Sequence, residues 1–288
     1  MALKIFFGNY KGGVGKTTST YNIAVEMAKN YNKKVLLIDL DPQSSLSEVC
    51  MTALKGQLDN LENETLNYVY DIYMQAKKLG NIKVTVDSKP IIKSANKISF
   101  IPNSLFYKNG GLDKISMDIG NSLEHLLVLR DFIEENGLIK EYDFIFFDCP
   151  PSNNIITQSA FLYSDYYIIP TIMDPLSIKG VTHYVSVIEK IYDNYCVNNE
   201  NSDVLALIFG RKPKLLGVFE TMRKSNTDTG NCKKMIAAAG YHLFANEIKH
   251  RKDVSVTMGT GDETSYYEYL NLAKEILNKI KDDENGKG

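Results

Sequence analysis

The sequence is poor in the residues that would mark several classes of function. Its four cysteines, Cys50, Cys149, Cys196 and Cys232, are scattered with no C-x-x-C pair, which speaks against structural disulfides and against zinc. The four histidines are dispersed without an H-E-x-x-H, so each reads as structural or solvent-facing. No apolar run approaches the roughly 20 residues that a membrane span requires. The N-terminus has no charged-then-apolar leader, and a reduced, cytoplasmic protein is expected. Positive charge is scarce as well: the net charge is −2 with a pI near 6.1. The arginines are Arg130, Arg211, Arg223 and Arg251. A globally basic nucleic-acid binder is thereby excluded, and any DNA contact must come from a local patch.

What is present is ordinary globular material, 288 residues with 44% hydrophobic and 24% charged residues. The length suits one α/β domain, expected over 1–280 with a polar, disordered tail at 281–288. Apolar runs at Leu3–Phe7 and Val35–Asp39 read as parallel strands covered on both faces, with helical spacing from Thr18 to Asn30 between them. Further strands are expected at Ile82–Val86, Lys97–Asn103, Tyr142–Asp148, Tyr166–Thr171, Leu215–Phe219 and Leu243–Ile248. Helices are expected at Leu61–Lys78, Leu123–Glu135, Val181–Tyr195 and Ser265–Lys281, with a turn at Gly110-Gly111. Alternation of strand and helix predicts a doubly wound, mostly parallel sheet with helices on both faces.

Between the first strand and the first helix stands Lys11-Gly12-Gly13-Val14-Gly15-Lys16-Thr17-Thr18. Glycines at 12, 13 and 15 allow positive φ and turn backbone N–H groups inward, making a nest for phosphate oxygens at a helix N-terminus. Lys16 is placed to reach the β- and γ-phosphates of a nucleotide, and the Thr17 hydroxyl to ligate Mg²⁺. The strict phosphate-loop pattern would put glycine where Tyr10 stands. After the second strand comes Asp39-Leu40-Asp41-Pro42-Gln43, at the strand end where open α/β sheets bind ligands. From spacing alone Asp41 serves equally as a water-orienting or metal-shell group and as a helix cap. Tyr142-Asp143-Phe144-Ile145-Phe146-Phe147-Asp148 reads as a strand ending in an acid, with Asp148 suited to the Mg²⁺ shell or simply closing the strand.

The form Lys-Gly-Gly-x-Gly-Lys-Thr, with Lys11 opening the loop, resembles the deviant Walker A loop of the ParA/MinD superfamily of P-loop ATPases. The D-x-D-P-Q run at Asp39–Gln43, the Walker B run ending Asp148-Cys149-Pro150-Pro151, and Ser177-Ile178-Lys179-Gly180 match the same family. The resemblance implies ATP and Mg²⁺ as ligands, with Lys11, Lys16 and Asp41 catalytic. Residues 11–18 would hold the phosphates, and Thr17, Asp41 and Asp148 the metal. It further implies a homodimer with ATP sandwiched at its interface, Lys11 reaching the partner's phosphates, and slow hydrolysis stimulated by a partner.

Within the superfamily, the chain looks most like the short partition ATPases. The chain opens almost directly on its first strand, where no room is expected for an extra N-terminal DNA-binding domain, and the resemblance to the short class implies non-specific DNA binding on the nucleoid and a separate ParB-like, centromere-binding protein. Lys212, Lys214, Arg223, Lys224 and Arg251 are the candidate DNA contacts, which could share one edge of the dimer; Thr221-Met222 resembles the partition branch. The membrane-associated branch, cell-division MinD, wants a basic and bulky end, and this chain has Asp282-Asp283-Glu284, so no membrane binding is expected. A metallocluster ATPase of the same superfamily and a ParA-like ATPase placing a cargo other than DNA are the alternatives.

Overall fold

The computed structural model describes residues 1–80, 82–120, 123–225, 227–251, 258 and 267–286, with the side chain of Asn109 excepted. Its strands are β1 (Leu3–Phe7), β2 (Val35–Asp39), β3 (Lys93–Ala95), β4 (Ile98–Ile101), β5 (Phe144–Asp148), β6 (Tyr166–Thr171) and β7 (Lys214–Glu220). They form one seven-stranded sheet in the order β3-β4-β2-β5-β1-β6-β7. All neighbours pair in parallel except the β3–β4 edge hairpin. The principal helices are α1 (Lys16–Tyr31), α2 (Ser45–Ala53), α3 (Leu66–Lys78), α4 (Gly111–Ile119), α5 (Val128–Glu135) and α6 (Leu138–Glu141). After β5 follow α7 (Ile155–Leu162), α8 (Pro175–Cys196), α9 (Ser202–Phe209), α10 (Gly230–Ala238) and α11 (Tyr267–Glu284).

The strands are apolar throughout because both of their faces are covered. Side chains alternate along each strand. Thus Ile5, Phe7, Leu37, Phe146 and Ile168 join a core with α1, α2 and α11. Phe6, Leu36, Ile38, Phe147 and Tyr167 join the opposite core with α3 to α8. This doubly covered, mostly parallel sheet is the expected architecture. The register sets Asp39 at the end of β2 level with Asp148 at the end of β5, and Phe7 level with Asp148 on the other side. Three strand ends therefore converge where the glycine loop leaves β1.

Several expectations need correction. Residues 82–86 form no strand; the edge strand is β3, joined to β4 through Asn96 and Lys97, both at positive φ. Two such residues make the turn whose twist suits a hairpin. Gly110-Gly111 is not a free turn, since α4 begins at Gly111. The Leu123–Glu135 helix is split into a 3-10 turn at Leu123–Leu127 and α5. Leu243–Ile248 runs beside β7 through isolated bridges and is not a full strand. The tail expected to be disordered from residue 281 is helical to Glu284. The reason is that Asp283 accepts a bond from the Tyr166 hydroxyl at 2.8 Å and pairs with Lys214 at 3.2 Å. Burial of Tyr269, Leu272, Ala273, Ile276 and Ile280 commits the apolar face of α11 to the core that it shares with α1.

Candidate nucleotide site

The loop between β1 and α1 owes its shape to two glycines. Gly13 and Gly15 both stand at φ +72°, where a side chain is strained, and Gly15 is the cap residue of α1. No side chain caps α1 and its first turn holds no acid, so its leading N–H groups and its positive end stay available to an anion. Two contacts fix the loop from outside: the Lys11 N–H donates to Asn9 Oδ1 at 3.0 Å, and the Thr221 hydroxyl donates to the Val14 carbonyl at 2.8 Å. Tyr10, where the strict pattern has glycine, meets Tyr184 edge-on at 4.7 Å. Its ring packs on α8 and leaves the loop to close through the other glycines.

Residues 11–18 line a cavity of about 490 Å³ together with Asp41, Gln43, Pro151 and Met222. The predicted phosphate and metal residues thus meet in one place. Lys16 Nζ is 3.9 Å from Asp41 Oδ2. The Thr17 hydroxyl donates to Asp148 Oδ2 at 2.7 Å, and Thr20 donates to Asp148 Oδ1 at 3.4 Å. Asp148 is fully buried, and its carboxyl is raised by that burial, against the opposing pull of Lys16. Asp39 beside it is pushed up to about 8, first by burial and then by the charge of Asp148. Asp148, the Thr17 hydroxyl that donates to it and Asp41 on the cavity wall, all hard oxygen donors, form a set that suits a small divalent cation.

Asp39 was not singled out from the sequence as a site residue. It accepts from the Asp41 N–H at 3.0 Å and from the Ser47 N–H and hydroxyl at 2.8 and 2.6 Å. Only the first acid of the D-x-D run could have hinted at this, since the spacing does not say which of the two faces inward. Asp174 and Ser177 were likewise missed as partners of Lys11. Lys11 Nζ lies 3.0 Å from Asp174 Oδ2 and donates to Ser177 Oγ at 2.6 Å. Asp174 caps α8 by accepting from the Ser177 N–H at 2.9 Å. Against the upward pull of partial burial, bonds from Ser177 and then Lys11 hold the Asp174 carboxyl down at about 2.

A second cavity, of about 350 Å³, opens next to the loop and shares Gly15, Thr18 and Met222 with it. Ile248, His250 and Tyr269 form much of its wall, with Lys249 and the predicted DNA contact Arg251 at its edge, giving an apolar slot with polar edges beside a phosphate nest.

The predicted DNA contacts are not gathered. Lys212 and Lys214 lie where β7 starts, at the far end of the sheet, while Arg223, Lys224 and Arg251 lie beyond its other end. Most face carboxylates of the same chain: Lys212 faces Asp193 at 3.2 Å, Lys214 Asp283 at 3.2 Å, Arg223 Glu247 at 3.3 Å and Arg251 Glu268 at 2.8 Å. Lys224 is exposed. All four cysteines are buried, free thiols; burial pushes Cys149 well up, as befits a packing residue.

Comparison with known proteins agrees with this geometry. The model of the AAA domain family matches residues 2–203. The virulence plasmid ParA family protein pGP5-D of Chlamydia psittaci is 31% identical over 291 residues, spanning 96% of this chain and 95% of its own. Among solved structures, a putative plasmid partition protein of Borrelia burgdorferi bound to AMPPNP superposes with a TM-score of 0.68 at 20% identity, over 98% of this chain and 100% of that one. A cobyrinic acid a,c-diamide synthase of Mycobacterium smegmatis with bound ATP analogue and magnesium gives 0.70 at 21% identity, over 98% and 97%. The fold is therefore shared by proteins of different activity, whereas the sequence relative is specific. With its glycine loop opened by Lys11 and its two strand-end aspartates, the chain belongs to the ParA/MinD superfamily of P-loop ATPases.

Proposed function

We propose that the protein is a partition ATPase that dimerises on ATP, binds DNA non-specifically and hydrolyses ATP slowly until a ParB-like partner stimulates it. The observation that carries this reading is Lys11, at the exposed mouth of a phosphate loop that already has Lys16 for its own nucleotide. A cation supplied in trans stabilises charge on the transferring phosphate of another subunit, and Lys11 is placed to be one. Lys16 and the N–H groups of residues 12–18 hold the β- and γ-phosphates, and Asp41 orients the attacking water. Thr17 and Asp148, with Asp41, hold Mg²⁺, which when bound neutralises charge on the phosphate oxygens. The slot lined by Met222, Ile248, His250 and Tyr269 takes the base.

DNA is the proposed surface partner because the chain resembles plasmid ParA proteins, and phosphate contacts made by lysine and arginine need no sequence readout. Binding of the ATP form to random duplex should fall steeply with salt and be indifferent to sequence. Absence of binding, or a flat salt response, contradicts it. A second reading, in which the dimer places a cargo other than DNA, is favoured by the carboxylate partners of Lys212, Lys214, Arg223 and Arg251. The same titration separates the two.

A further inference from the structure

The chain that carries Asp41, from the end of β2 to the start of α2, is bound together by a side chain from another strand. Asn103 follows β4 and is fully buried. One amide N–H donates to the carbonyl of Asp39 at 3.1 Å and the other to the carbonyl of Asp41 at 2.7 Å. Its Oδ1 accepts from the Ser44 hydroxyl. Its backbone N–H donates to Ser47 Oγ at 2.9 Å, and that hydroxyl in turn donates to Asp39. Asn103 thus grips the loop on both sides of Asp41, using every hydrogen-bonding group of its amide.

The grip matters because this loop does not hold its conformation cheaply. Ser44 stands at φ +55°, a left-handed conformation that is disfavoured outside glycine and persists where surroundings enforce it. The carboxylate of Asp41 accepts from the Gln43 N–H at 3.0 Å, so its direction follows the backbone of residues 41–44. We propose that Asn103 is the positioning residue for Asp41: it is buried and does not line the loop cavity, and it fixes the loop so that the carboxylate meets the γ-phosphate site. The inference rests on the reading of Asp41 as the group that orients the attacking water.

A purely structural role would also explain a buried asparagine, and the neighbouring residue supplies the control. Asn67 of α3 exchanges two hydrogen bonds with Ser104, at 2.8 and 3.1 Å, in equally buried surroundings, and makes none of the bonds described above to the 39–47 loop. Asn103→Ala and Asn67→Ala both remove buried bonds; only the first frees Asp41.

The test is single-turnover ATP hydrolysis, with protein in excess of ATP and above its Kd at saturating Mg²⁺, and with nucleotide affinity and melting temperature measured on the same samples. Asn103→Ala should slow hydrolysis about ten- to hundredfold while affinity stays within about threefold, the pattern of a misplaced catalytic group. Asn67→Ala should lose comparable melting temperature and hydrolyse within about twofold of the parent. Equal slowing in both variants, or an unimpaired Asn103→Ala, overturns the proposal. Ser44→Ala, which removes one arm of the grip at little risk to folding, should slow hydrolysis several-fold, and an unchanged rate there overturns it too. Asp41→Ala separates the two levels: if it hydrolyses at the parental rate, the role of Asp41 itself is wrong. If it is slow while Asn103→Ala is not, only the positioning role fails.

Discussion

Lys11 is already engaged within its own subunit, and the proposed dimer requires it to leave. Its ammonium lies 3.0 Å from Asp174, with the two side chains 42% and 37% exposed. Exposed ion pairs of this kind contribute about 0.2–1 kcal/mol. Asp174→Asn removes that attraction together with the bond from the Ser177 hydroxyl, but keeps the cap, because asparagine caps a helix as well as aspartate does and can still accept from the Ser177 N–H that starts α8. Each subunit must release one Lys11, so the gain enters twice, about 0.4–2 kcal/mol in all, or roughly two- to thirtyfold in the dimerisation constant. Sedimentation velocity over a protein dilution series, with a non-hydrolysable ATP analogue in the Asp41→Ala background, reads this directly. Asp174→Ala gives a useful contrast, since loss of the cap should cost about 1 kcal/mol of stability. A weaker dimer in Asp174→Asn, at unchanged nucleotide affinity, would show that Asp174 holds Lys11 in the pose that the dimer uses, and the release argument would be wrong.

Other expectations concern the charge beneath the loop and the packing around it. An acid whose folded pKa is raised binds its proton more tightly in the native state. The stability that Asp39 contributes is thus complete below its ordinary value of 3.8 and is lost as pH rises toward about 8. The loss is bounded by about 1.4 kcal/mol per pH unit for one proton. Asp148→Asn removes one cause of the shift, so in metal-free buffer its melting temperature should gain on the parent between pH 5 and 8; a gap that does not change with pH contradicts this. Tyr70 is fully buried in α3 and its hydroxyl has no hydrogen-bond partner among the described residues. Tyr70→Phe should therefore stabilise the protein by about 1 kcal/mol in urea unfolding, whereas a loss would mean that the hydroxyl is satisfied. Gly15→Ala forces a side chain to φ +72° at the cap of α1, and should weaken ATP binding measured by calorimetry as well as lower the melting temperature.

Much of the site was legible in the sequence because its signals are local. The glycine loop, the apolar runs of β1, β2 and β5 and the acids that end them need no knowledge of distant residues. Buried parallel strands announce themselves as continuous apolar runs. The edge did not: Lys93-Ser94-Ala95 is short and polar, as edge strands often are, and nothing apolar separated it from a loop. Ile82, Val84 and Val86 alternate like a strand, but that segment has no neighbour to pair with among the described residues, and Val86 packs into the core instead. The partners of Lys11 and the grip of Asn103 were hidden for another reason. Asp174 is 163 residues from Lys11, and Asn103 is 62 residues from Asp41; both contacts arise only when the sheet sets their strand ends side by side. The carboxylates that face the basic residues at 212, 214, 223 and 251 were likewise out of reach of a local reading.

In the proposed dimer Lys11 acts between subunits while Lys16 acts within one. Molar mass of the parent and of Lys11→Ala should be measured with Mg²⁺ and a non-hydrolysable ATP analogue, alongside nucleotide affinity. The parent should double its mass and Lys11→Ala should stay a monomer, with both binding nucleotide comparably. A Lys11→Ala protein that doubles its mass as the parent does would contradict it.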